Sequence, residues 1–65
     1  MREKIIETLV RHYESKIDQH MLNINIMIAN PRAIPEHEDF VSAIDKELGH
    51  VSEAKDKLEA LKEYF

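Results

Sequence analysis

Glu47-Leu48-Gly49-His50 spaces a carboxylate and an imidazole three residues apart. That is the Glu-x-x-His spacing with which helical bundles hold pairs of metal ions, and Glu14 on an opposing helix would extend such a set. A chance match between common residues explains the same spacing. Arg11, His12 and Lys16 gather cations on one side of a helix, with Tyr13 beside them. Guanidinium and ammonium groups hold phosphate, and a phenol ring stacks on a nucleobase, so this cluster suits a small phosphorylated ligand. It is also what an ordinary solvated helix face looks like. His20 lies among apolar residues, where an imidazole titrates near neutrality or orients a ligand. Alternatively it is a structural hydrogen-bonding residue that selects register, and Glu47 is then its natural partner.

Asn23 and Asn25 interrupt the most apolar part of the chain. Buried amides need partners, so they bond across an interface or line a pocket. Arg32 and His37 flank a turn whose following helix would offer main-chain amides to an anion. Glu36, Glu38 and Asp39 already occupy that field, and Arg32 pairs with them in the simpler reading. The hydroxyls of Thr8, Ser15, Ser42 and Ser52 sit in no strained or glycine-rich context, so nucleophilic catalysis has no support. The expectation is a protein that is not an enzyme and needs no cofactor.

What must position these residues is helix. Ile6, Val10, Tyr13, Ile17, His20, Ile24 and Met27 recur at alternating spacings of 4 and 3, which is a heptad seam. The strand-like alternation of Leu22 to Ile26 fits inside that register, and no turn residue precedes it. The first helix is expected over about residues 2–29 and the turn over about 30–34. Asn30 precedes Pro31, which disfavours helical backbone. Pro35 suits the first position of a second helix, expected over about 35–64. There the pattern reads as His37, Val41, Ile44, Leu48, Val51, Lys55 and Leu58. A second line, Ala54, Leu58, Leu61 and Phe65, takes over after Gly49, the sole glycine. Glu7–Arg11 and Glu53–Lys57 are well-oriented i,i+4 pairs.

The chain of 65 residues is one domain near the lower size limit for independent folding. It has no cysteine, which excludes disulfides and thiolate metal sites and suits a reducing compartment. Net charge is −4. Residues 1–30 carry four basic and four acidic side chains, whereas residues 33–65 carry four and nine. The absence of a basic stripe argues against duplex nucleic acid as a partner. No run reaches the ~20 apolar residues of a membrane span, and the charged N-terminal stretch lacks a signal peptide's apolar centre. The expected setting is cytoplasmic, without a membrane partner.

Two helices of roughly 40 Å each form an antiparallel hairpin, and one pair of seams covers one stripe per helix. Ile5, Leu9, Met21, Leu22, Ile26 and Ile28 lie outside the first seam, and residues 21–29 are apolar nearly all round. A helix of that kind is a buried helix. The expected fold is therefore all-α: a hairpin that assembles with itself into a four-helix or larger bundle.

The run from Ile17 to Asp39, with His20, Asn23, Asn30-Pro31, Ile34 and Glu36-His37-x-Asp39, resembles short uncharacterised helical-hairpin proteins of tailed bacteriophages. Asp56-x-Leu58-Glu59 and Tyr64-Phe65 are similar too, so the likeness spans nearly the whole chain. Ala33 and Pro35 stand where that group's pattern is glycine-rich, which stiffens the connection. The resemblance implies a phage accessory protein working in the bacterial cytoplasm. In architecture alone, a self-assembling hairpin looks like the phage anti-defence sponges that sequester cyclic-nucleotide immune signals.

Three functions follow from these readings. One is capture of a small anionic ligand, such as a nucleotide signal, between subunits by Arg11, Tyr13, Lys16, His20, Asn23 and Arg32. Another is an interaction module that binds a host protein through the acidic face of the second helix. The third is a metal-binding bundle using Glu14, Glu47 and His50.

Overall fold

The computed structural model describes residues 1–29 and 37–65, apart from the side chains of His37 and Glu38. Helix α1 spans Arg2–Ala29 and helix α2 spans His37–Tyr64, 28 residues each. The turn expected at 30–34, and the residues expected to open the second helix, lie outside the described residues. Both helices carry charges that suit their dipoles: Glu3 in the first turn of α1 and Lys62 in the last turn of α2. Leu22 to Ile26 is continuous helix, and there is no strand among the described residues.

The helices run antiparallel. At one end, which we call the base, the Arg2 guanidinium donates to the Phe65 main-chain oxygen at 2.6 Å. Nearer the connected end, the apex, His20 meets Glu47. The pair makes a rod 49 × 15 × 11 Å in extent.

All seven residues of the α1 seam are at least partly covered, and Ile24 is buried. In α2 the structure corrects the expected register. Val41 and Leu48 point outwards, 65% and 53% exposed, and Lys55 is exposed as well. The covered line, with Ala43 partly covered beside it, is instead Phe40, Ile44, Glu47, Val51, Ala54, Leu58 and Leu61. These also alternate by 4 and 3, in one unbroken heptad line, so no shift of seam occurs at Gly49. The line passes through a carboxylate, which is why apolarity alone misplaced it.

In heptad letters, His20 and Glu47 are both d positions. Beside the seam, each helix then has an e flank and a g flank. In an antiparallel pair e lies alongside e, and g alongside g. The e flank carries Glu7, Glu14, Met21 and Ile28 of α1 with Val41, Leu48, Lys55 and Lys62 of α2. The g flank carries Arg2, Leu9, Lys16 and Asn23 with Ala43, His50, Lys57 and Tyr64.

Among the described residues only Ile24 and Ala54 are buried. Met21, Leu22, Ile26 and Ile28, at the apex end of α1, are between 43% and 59% exposed. Chains of this length have little apolar burial to draw on, and this core is thin even for that size. No helix of the described residues is long and apolar enough to cross a membrane.

Candidate functional site

The site is organised around a carboxylate in the seam. Glu47 Oε2 accepts a hydrogen bond from His20 Nδ1–H, and its Oε1 accepts one from Asn23 Nδ2 at 3.2 Å. The His20 and Glu47 side chains are only 15% and 19% exposed. Both carboxylate oxygens are thereby satisfied, which makes a charge tolerable in an otherwise apolar line. The His20 hydrogen bond holds the Glu47 carboxyl below its ordinary value of 4.5. Partial burial pushes the other way, and the Asn23 hydrogen bond and the positive potential of His20 and His50 reinforce the lowering.

With Nδ1 committed to Glu47, the His20 ring lies flat against His50, centroids 4.7 Å apart and planes inclined by 22°. This stack forms one end of a half-open groove of about 240 Å³ on the g flank, lined by His12, Tyr13, Lys16, His20, His50, Glu53, Ala54 and Lys57. Tyr13 and His12 meet edge to face, with centroids 5.2 Å apart. Across the groove Lys57 Nζ donates to Glu53 Oε1 at 3.1 Å. That bond lowers the Glu53 carboxyl and raises the Lys57 ammonium from their ordinary values. Lys16 has no ion pair among the described residues.

Of the residues expected to bind a ligand, Tyr13, Lys16 and His20 come together in this groove. Asn23 sits next to it and is engaged with Glu47, so its role is to hold the carboxylate across the helix pair. Arg11 is exposed and lines no part of the groove. It occupies a b position facing away from α2, because the heptad phase that brings Tyr13 inward turns Arg11 out. The Glu7–Arg11 ion pair is not formed, whereas Glu53–Lys57 is. Arg32 lies outside the described residues. Glu53, Ala54 and Lys57 belong to no site expected from the sequence, and His50 belongs there only to the metal set. The signal for them was the heptad phase of α2, since once Glu47 is placed in the seam, His50 and Lys57 fall on the flank shared with Lys16.

The chain matches no family model, no curated protein and no solved structure.

The proposed metal set does not assemble within one chain. Glu14 lies on the e flank, His50 on the g flank, and Glu47 is occupied by His20 and Asn23. Among the described residues no three His, Asp or Glu side chains lie close enough to hold a metal ion. What the groove does offer is cations, imidazole donors and flat rings: means of holding an anion that carries an aromatic group.

Proposed function

We propose that this protein is a non-enzymatic, self-associating binding protein that captures a small anionic ligand carrying an aromatic group, of which a nucleotide is the natural example. The observation that carries this reading is the groove itself. Lys16 supplies an unpaired charge, His12 and His50 supply N–H donors, and Tyr13 with the His20–His50 stack supplies ring faces, while Lys57 is engaged with Glu53. The volume of about 240 Å³ falls below the roughly 300–1,000 Å³ of pockets that enclose drug-sized molecules. A ligand the size of a single nucleotide therefore sits partly in solvent. Glu53 does not oppose it, because its charge is already met by Lys57.

Together with the resemblance to phage hairpins, this supports an accessory protein acting in the bacterial cytoplasm by sequestering a nucleotide immune signal. Self-association is supported by the thin core and by the exposed apolar residues at the apex. The groove is built from one chain, so capture does not require a pocket between subunits.

Isothermal titration with nucleoside mono-, di- and cyclic phosphates tests the reading, alongside mass spectrometry of small molecules released when the purified protein is denatured. Saturable binding that raises the melting temperature is the expected result. No released ligand, and no nucleotide that moves the melting temperature, would reject it. A second reading, docking of a host protein, is favoured by the acidic outer face of α2, where Asp45, Asp56 and Glu63 are exposed and unpaired among the described residues. Capture of one stoichiometric protein from bacterial lysate, lost when those carboxylates are neutralised, would support it over the first.

A further inference from the structure

We infer that the e flank of the hairpin receives a second copy of this chain, apex beside apex, with α1 of each copy lying against α2 of the other. This deepens the proposed self-association by naming its surface and register.

The flank divides along its length. Towards the apex all four of its residues are apolar: Met21 and Ile28 of α1, Val41 and Leu48 of α2, between 43% and 65% exposed. Towards the base all four are charged, and the signs segregate by helix. Glu7 and Glu14 lie on α1, Lys55 and Lys62 on α2. Glu7, Glu14 and Lys62 have no ion pair among the described residues, and Lys55 has one long contact, 3.9 Å to Glu59.

A two-fold axis parallel to the rod turns this pattern onto itself. It sets Met21 against Leu48 of the second copy and Ile28 against Val41. It also sets Glu14 against Lys55 and Glu7 against Lys62. Each contact occurs twice by symmetry, as in an isologous interface. The product is a four-helix bundle in which every neighbouring pair of helices is antiparallel.

The alternatives are excluded by the same residues. An axis perpendicular to the rod would press the apolar end of one copy onto the charged end of the other, leaving desolvated charges without partners. Docking through the g flanks about the same axis would set Lys16 against His50 of the other copy, Lys57 against Leu9 and Arg2 against Tyr64, giving none of these cations a carboxylate. The e flank is thus the side that closes, and the two ligand grooves face outwards, one per chain.

Sedimentation equilibrium of the full chain, without nucleotide, reads this surface separately from ligand binding. The wild type should be a dimer at micromolar concentration. Glu14→Lys places like charges together twice and should weaken dimerisation by about tenfold at low salt. Adding Lys55→Glu should restore it to within about threefold. Both positions are exposed, so circular dichroism should show unchanged helix content. The register is read independently by mixing a Met21→Cys chain with a Leu48→Cys chain of different mass, which should oxidise to the mixed disulfide in preference to either homodimer. A folded monomer, a dimer indifferent to Glu14→Lys, or a dimer whose two cysteine variants fail to cross-link would each overturn the inference.

Discussion

His20 and Glu47 face each other across the two helices, the imidazole Nδ1–H donating to the carboxylate from 27 positions away in sequence. The pair fixes the register of the whole hairpin, because each residue takes a seam position that an aliphatic side chain would otherwise fill. Polar seam residues of this kind cost stability and specify alignment.

The pair makes stability depend on acidity in a defined sense. Glu47 titrates below its ordinary 4.5 in the folded state, so the unfolded chain binds its proton first as pH falls. Its stabilising contribution is full above about 4.5 and is lost as pH drops through the lower folded value. Glu53 acts in the same direction through Lys57. Thermal melts from pH 6 down to pH 3 should therefore show wild type and Glu47→Gln converging as the solution becomes acid. A difference that stays constant over that range would refute the assignment.

Gly49 is the most accessible place to improve the fold. It lies on the outer face of α2, its φ is not positive, and a Cβ built there meets nothing within 4 Å. Gly49→Ala should stabilise the helix by about 0.5–1 kcal/mol, measured by chemical denaturation, with ligand binding unchanged.

Ile24 gives the opposite result. It is one of the two buried residues among those described, at 8% exposure. Ile24→Ala should cost about 2–4 kcal/mol, a large share of what a chain of this size has. Loss of the folded baseline at room temperature is the expected reading by circular dichroism. A melt within a few degrees of wild type would show that the seam is not where the stability lies.

Lys16 and Arg11 separate the groove from general electrostatics. Both are exposed cations of α1, five residues apart, and only Lys16 lines the groove. Lys16→Ala should weaken nucleotide binding by about tenfold, the worth of one charge-assisted hydrogen bond. Arg11→Ala should leave it within about twofold. Equal losses from the two variants would mean that the anion senses only net charge.

The α1 seam was readable because each of its positions is apolar or amphipathic and the spacing never breaks. The α2 seam was readable only in part: Ile44, Val51, Ala54, Leu58 and Leu61 fall on the expected lines, and Glu47 is the reason the rest was not. Val41 and Leu48 are the stronger apolar signal, and a carboxylate is normally placed outside a seam on grounds of desolvation. The partnership of His20 with Glu47 was legible from their heights in the hairpin, yet it contradicts a seam through Leu48. Taking that partnership as a constraint on register would have moved Val41 and Leu48 to the flank. It would also have gathered His50 and Lys57 beside Lys16. Arg11 was grouped with Lys16 by closeness in sequence, although five residues on a helix turn a side chain well away from its neighbour.

The rod measures 49 Å along one axis and no more than 15 Å across the others. Such a particle has more friction than a sphere of equal mass, so even a single copy leaves a sizing column ahead of compact standards. Elution position would then credit a lone chain with a companion it does not have. Mass has to be weighed by sedimentation equilibrium or scattered light, which are indifferent to outline.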